Sequence, residues 1–188
     1  MNLDVLHGDA GADTISGDGG DDTLTGGQGA DSLMGGGGRD HLSGGADDDW
    51  LDGGISHDVL FGDGGNDVLI GKNGSDRLDG GAGDDTLYGG SGDDTLTGGG
   101  GTDVLDGSTG ADTFIFSEGN VVITGFQNDV DTLLLDPALW GGGAQDAEDL
   151  VAMAEVIDGD LVFTFDAGRL VIEDLTNPNA LLNDIGLI

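Results

Sequence analysis

Large apolar residues recur at every ninth position through the first two thirds of the chain. The series runs Leu6, Ile15, Leu24, Leu33, Leu42, Leu51, Leu60, Leu69, Leu78, Leu87, Leu96, Leu105 and Phe114. Their neighbours are often polar or β-branched, as in Thr14-Ile15-Ser16, Thr23-Leu24-Thr25 and Val59-Leu60-Phe61. Such a triplet predicts a three-residue strand with its middle side chain inward and its neighbours outward. The six residues before each triplet are rich in Gly and predict a turn, because Gly admits positive φ and lets backbone carbonyls converge on one spot.

The rhythm stops after Phe116, and Gly falls to 8 in residues 117–188. There Phe114-Ile115-Phe116, Val121-Val122-Ile123 and Thr132-Leu133-Leu134-Leu135 read as strands. Helical spacing runs from Asp146 to Ile157 through Leu150, Val151 and Ala154, with acids near its N-terminus where the helix dipole favours them. Leu161–Phe165 and Arg169–Ile172 flank Asp166-Ala167-Gly168 and predict a hairpin. Two segments are therefore expected: repeats over 1–115 and a different object over 116–188.

Written in nines from Gly8, the chain aligns without a gap for twelve units, to Ile115. Position one is Gly in every unit, from Gly8 to Gly107, and position six is Asp in every unit and in the leading fragment at Asp4. That regularity changes how the composition reads. The 188 residues hold 38 acids against 4 Lys and Arg, a net charge of −34, with 41 Gly and no Cys. Of the acids 34 are Asp and 4 Glu, and no Glu falls within the twelve units. Low aromatic content and high charge usually mean disorder. A solvating tract has no reason to prefer the shorter carboxylate, so a task for each Asp is expected instead.

So acidic a chain does not suit nucleic acid or an anionic membrane surface, which reward Lys and Arg. No apolar run has the roughly 18 residues of a spanning helix. The first residues show no signal-peptide pattern, and the lack of Cys excludes disulfides and thiolate metal sites. Carboxylates and carbonyls in flexible loops are the hard oxygen donors that Ca²⁺ takes, six to eight at a time. Mg²⁺ fits less well because it wants a strict octahedron, and Zn²⁺ would want His or Cys.

The motif is G-G-x-G-x-D-x-U-x, as in Gly26-Gly27-Gln28-Gly29-Ala30-Asp31-Ser32-Leu33-Met34 and Gly80-Gly81-Ala82-Gly83-Asp84-Asp85-Thr86-Leu87-Tyr88. Residues 4–115 resemble the RTX, or haemolysin-type, calcium-binding family. The resemblance implies an all-β fold, a Ca²⁺-bound parallel β-roll with two units per 18-residue coil, and ions between turns stacked on one edge. One edge would carry Asp4, Asp22, Asp40, Asp58, Asp76, Asp94 and Asp112. The other would carry Asp13, Asp31, Asp49, Asp67, Asp85 and Asp103. These Asp residues from Asp13 onward are the candidate metal ligands. With them go the turn glycines Gly17, Gly20, Gly26, Gly27, Gly29, Gly35, Gly36, Gly38, Gly62, Gly65, Gly80, Gly81, Gly83, Gly89, Gly90, Gly92, Gly98, Gly99 and Gly101. About ten Ca²⁺ are expected. Departures at Asp18, Asp63, Lys72 and Ser108 (position two) and at Asp47 and Ser56 (position four) mark expected weak points, Ser56 and Lys72 most of all.

The segment Gly110–Phe116, with Ile123-Thr124-Gly125-Phe126 and Asp131-Thr132-Leu133, resembles the start of the C-terminal cap of serralysin-type RTX domains. That implies a small β-rich cap with one helix. The tail Leu181–Ile188 is similar to the uncleaved signals read by type I secretion machinery, and equally suits a last strand. An open roll end needs such a cover.

The sequence carries none of the common catalytic motifs. His7, His41 and His57 form no HExxH, there is no G-x-S-x-G elbow, and no Gly-rich turn carries the Lys of a P-loop. Paired acids such as Asp84-Asp85 recur with the period, so cages or solvated turns explain them better than a glycosidase pair. Met34, Trp50, Val68, Ile70, Tyr88 and Val104 predict an outward apolar stripe on one set of alternate strands. The expectation is a non-enzymatic calcium-binding domain, secreted by a type I system, that folds in extracellular Ca²⁺ and carries or stabilises a secreted protein. Since the chain begins part-way through a unit, a fused N-terminal domain is expected. The alternative is a Ca²⁺-dependent adhesion or polysaccharide-binding module of a larger extracellular protein.

Overall fold

Each pair of nonapeptides closes one coil, so residue i comes to lie beside residue i+18. This is seen in the computed structural model, which describes residues 3–127, 130–140, 147–175 and 177–188. The strands of the repeats are β1 (Val5–Ala10), β2 (Thr14–Ser16), β3 (Thr23–Gln28), β4 (Ser32–Gly37), β5 (His41–Ala46), β6 (Trp50–Ile55), β7 (Val59–Gly64), β8 (Val68–Asn73), β9 (Arg77–Ala82), β10 (Thr86–Ser91), β11 (Thr95–Gly100) and β12 (Thr102–Thr109). After them come β13 (Thr113–Phe116), β14 (Gly119–Thr124), β15 (Thr132–Leu135), β16 (Glu155–Ile157), β17 (Asp160–Phe165), β18 (Gly168–Ile172) and β19 (Ile185–Leu187).

Odd strands stack in one sheet, β1-β3-β5-β7-β9-β11-β13-β15-β19. Even strands stack in the other, β2-β4-β6-β8-β10-β12-β14-β18, with β17 and β16 at its end. All pairings are parallel except β16–β17 and β17–β18. The molecule is an all-β parallel roll, as the family resemblance implies.

The ninth-residue series fills the space between the sheets. Leu24 through Leu96 are 0% exposed, and Leu105 and Phe114 are 1% exposed. Burying one such side chain is worth about 1.5–3 kcal/mol. Leu6 and Ile15, at the first coil, are only partly buried. Most repeat strands are six residues long, not three, because pairing continues past the apolar triplet into the next unit. Thr25↔Ser43 is followed by Gly27↔Gly45 and Gln28↔Ala46, so those backbone groups also find partners in the adjacent coil.

Both sheets run past Ile115 without a break. Beyond it the spacing loosens: Thr113 pairs Thr132, Val121 pairs Leu170 and Leu133 pairs Ile185. The aromatic cluster Phe116, Phe163 and Phe165 closes the core here, with ring centroids 5.5 and 6.2 Å apart. The hairpin forms between β17 and β18. The helix, α1 (Ala147–Met153), is shorter than its sequence spacing suggests. Glu155–Ile157 instead pairs antiparallel with β17, where strand pairing overrides helical periodicity, and Asp146 lies outside the described residues. The tail forms β19, the last strand beside β15. The outward apolar residues share the outer face of the ten-stranded sheet, with Met34, Trp50, Val68 and Ile70 half-buried and Tyr88 and Val104 exposed. The cap strands β18, β17 and β16 lengthen this sheet.

Candidate metal centre

Position-six Asp side chains stand where each turn enters its strand, and the coil register stacks them in two columns. From the second coil onward each carboxylate divides its oxygens between two tasks. Oδ1 accepts a hydrogen bond from the backbone N–H of the Asp one coil earlier. Asp4 N–H donates to Asp22 at 2.8 Å, Asp22 to Asp40 at 2.8 Å, and Asp58 to Asp76 at 2.8 Å. On the opposite edge Asp13 N–H donates to Asp31 at 2.7 Å, Asp49 to Asp67 at 2.8 Å, and Asp85 to Asp103 at 3.1 Å. These bonds fix the carboxylates in register.

Oδ2 has no such partner. In all twelve, from Asp13 through Asp112, this atom is buried and makes no hydrogen bond. A buried carboxylate oxygen without a partner is costly, and here the cost repeats twelve times. Burial pushes the carboxyls of Asp58, Asp67 and Asp94 up to about 7, and those of Asp49, Asp103 and Asp112 up to about 6. The accepted N–H bonds partly oppose the shift, and charges of neighbouring Asp residues add to it. The same burial raises Asp40, Asp76 and Asp85.

The glycines surround these oxygens. A Cβ on Gly17 would lie 2.8 Å from the carbonyl oxygen of Gly35 and 2.5 Å from Asp22 Oδ2, and one on Gly8 would lie 2.7 Å from both Gly26 O and Asp13 Oδ2. Position one is therefore Gly because the carboxylate and a carbonyl of the next coil occupy the place of a side chain. Gly26, Gly35, Gly62, Gly80, Gly89 and Gly98 stand in the same place. Positions two and four need positive φ, met by Gly27 (118°), Gly29 (102°), Gly36 (103°) and Gly38 (126°). Gly20, Gly65, Gly81, Gly83, Gly90, Gly92, Gly99 and Gly101 share that conformation. A Cβ on Gly27 would collide with the Asp9 carbonyl, and one on Gly38 with that of Gly20. The carbonyls at positions two and four thus aim at the next turn of the same edge.

The donor set is one carboxylate oxygen plus several carbonyls per step. Among the described residues no three His, Asp or Glu side chains gather round one point, so carbonyls must complete any coordination shell. An oxygen-only, carbonyl-rich cage with a bare anionic atom fits Ca²⁺.

The departures from the motif keep its backbone. Asp9, Asp18, Asp63, Lys72 and Ser108 all have φ between 64° and 74°, while Asp47 reaches 76° and Ser56 87°. Lys72 points its ammonium at Asp52 on the sheet's outer face, where it forms an ion pair, and not into the turn. His57 takes part in the turn bonding, its Nδ1 accepting the N–H of Ser75 at 2.6 Å.

Two features escaped the sequence reading. Position five carries a second ladder, running the other way. Asp48 Oδ1 accepts from Asn66 N–H at 2.7 Å, Asn66 Oδ1 from Asp84 at 2.8 Å, and Asp84 Oδ1 from Thr102 at 2.8 Å. Its residues vary too much to show as a motif. The second is Asp131, which continues the first-edge column by accepting Asp112 N–H at 3.0 Å. Its signal was the order Asp131-Thr132-Leu133, the repeat's own acid–polar–apolar order displaced by one residue.

A family model for the RTX calcium-binding nonapeptide repeat matches the chain in seven overlapping stretches between residues 3 and 123. The chain belongs to the RTX family. RTX repeats bind Ca²⁺, which is the ion the bare Oδ2 atoms and carbonyls suit. Among solved structures, the extracellular lipase LipA from Serratia marcescens is similar, with a TM-score of 0.46 and 19% identity. That match covers 95% of this RTX chain and 38% of the lipase, so the chain spans well under half of that enzyme's length. None of the curated proteins compared with it matches. Among the described residues no helix is long and apolar enough to cross a membrane.

Proposed function

We propose that this chain is a non-enzymatic calcium-folded module of a secreted protein, with a metal-binding roll over residues 1–115 and a cap over 116–188. The observation that carries this reading is the set of twelve buried Oδ2 atoms without a partner. Along each edge the carboxylates repeat at the sheet spacing, about 4.8 Å, so their like charges lie close together. Ca²⁺ bound between stacked turns would supply the missing positive charge and take Oδ2 and the carbonyls as ligands. The residues proposed to hold it are the twelve Asp from Asp13 to Asp112 and the turn glycines beside them. About ten ions would carry about twenty positive charges against the net −34, and so convert a self-repelling chain into a packed one.

The chain itself contributes the rest. Its position-one glycines leave room for the carboxylates, its Oδ1–N–H bonds align them, and its leucines bury only when successive coils stack. Binding and folding are then one event. At cytosolic Ca²⁺ the chain would stay unfolded and fit for export by type I machinery, which would read the tail Leu181–Ile188. In millimolar extracellular Ca²⁺ it would fold and stabilise the protein that carries it. Metal analysis after dialysis against millimolar Ca²⁺ tests the reading, with about ten ions per chain expected. One or two ions would contradict it.

A further inference from the structure

We propose that Asp131 is the stop of the first-edge column, a ladder carboxylate that the protein seals itself. It seats the last metal-binding turn and takes no ion of its own. The inference rests on the calcium reading above.

Asp131 occupies a rung like any other. Its Oδ1 accepts the N–H of Asp112 at 3.0 Å, as Asp112 Oδ1 accepts that of Asp94 at 2.9 Å. It is 2% exposed, comparable to Asp76 at 3% and Asp112 at 1%. The difference is at Oδ2. In the twelve repeat carboxylates this atom is bare. In Asp131 it accepts the backbone N–H of Gln127 at 2.8 Å. The protein thus supplies a donor where the repeats leave room for a metal.

The local chain explains how. Thr113 pairs with Thr132, a step of 19 residues in place of 18. The longer step brings Gln127 back over the rung. The carbonyl of Gln127 accepts from the N–H groups of Val130 at 3.1 Å and Asp131 at 2.9 Å, and its side-chain amide donates to the Ser108 carbonyl at 3.0 Å. Gln127 is thereby tied both to the rung it seals and to the preceding coil. The opposite edge ends differently: the residue beside Asp103 in the next coil is Val121, which offers no carboxylate. That edge ends on Asp103, whose Oδ2 stays bare, so only the first-edge column finishes on a carboxylate that the protein satisfies itself. Asp131 is a positioning residue for Asp112, the last carboxylate on its edge with a bare oxygen.

The test uses the full chain and three proteins, wild type, Asp112→Asn and Asp131→Asn, each loaded with Ca²⁺ and assayed for bound metal and melting temperature. Asp112→Asn should lose about one ion. Asp131→Asn should keep the wild-type count yet melt about 5 °C lower, because it loses hydrogen bonds to a charged acceptor. An ion lost from Asp131→Asn, or an unchanged melting temperature, would overturn the proposal. If Asp131→Asn does not fold, hydrogen exchange at the Gln127 amide of the Ca²⁺-loaded wild type decides. Slow exchange supports the sealed rung, and fast exchange overturns it. A wild-type chain that takes up no Ca²⁺ would defeat the calcium reading itself, whereas metal loss confined to Asp131→Asn defeats only this inference.

Discussion

Asp67 shows what a single residue contributes. Its Oδ1 holds the Asp49 N–H at 2.8 Å, its Oδ2 is bare, and burial pushes its carboxyl up to about 7. Replacing Asp67 with Asn should remove about one ion and lower the Ca²⁺-loaded melting temperature, read by metal analysis and calorimetry. The raised carboxyls also fix a pH dependence for the metal-free chain. Unfolded Asp titrates at about 4, whereas in the folded metal-free chain burial holds the proton of Asp49 up to about 6 and those of Asp58, Asp67 and Asp94 up to about 7. A group that binds protons more tightly when folded stabilises the fold fully below its unfolded pKa and loses that contribution as pH rises through the folded value. In EDTA the β signal by circular dichroism should therefore grow on acidification from pH 8 to about pH 4. A metal-free chain equally disordered at both pH values would contradict the shifted carboxyls. At this scale the sequence was informative wherever a residue type was strictly periodic, which is why the position-six Asp and position-one Gly were legible. The division of labour between Oδ1 and Oδ2 was not, since it depends on which N–H stands one coil away. The position-five ladder was hidden because Asp, Asn, Ser and His57 all serve as its acceptors.

Turns and strands carry the next level. Gly83 has φ of 134°, and a Cβ there would collide with the Gly65 carbonyl. Gly159 has φ of 107° but nothing within 4 Å of its Cβ direction. Gly83→Ala should cost about 2 kcal/mol or more, combining backbone strain with the clash, whereas Gly159→Ala should cost about 1 kcal/mol from strain alone. Chemical denaturation of the two Ca²⁺-loaded variants checks the contrast. Leu69→Ala, at 0% exposure, should cost about 2–5 kcal/mol by the same measurement. The triplets located every repeat strand but understated the length of all except β2, because Gly-rich continuations give no side-chain signal for the pairing they extend. The helix was overextended for the opposite reason. Glu155–Ile157 has helical spacing, but its pairing with β17 takes precedence, and pairing between distant segments cannot be read from local periodicity.

For the whole molecule, the two sheets make one stack from β1 and β2 to the cap. Stability in such a stack is carried by neighbouring coils, so coupling between adjacent rungs should make calcium uptake cooperative. The two-edged arrangement was legible because the resemblance to RTX repeats implies two units per 18-residue coil. The cap was legible only in outline, since its partners lie 49 to 52 residues apart and no period marks them. The central claim is that the chain folds because its carboxylate columns bind Ca²⁺. Far-UV circular dichroism at neutral pH, first in EDTA and then on titration to millimolar Ca²⁺, tests it most directly. A disordered spectrum in EDTA that converts to β structure in one steep transition is the predicted result, and a full β spectrum in EDTA would contradict the account.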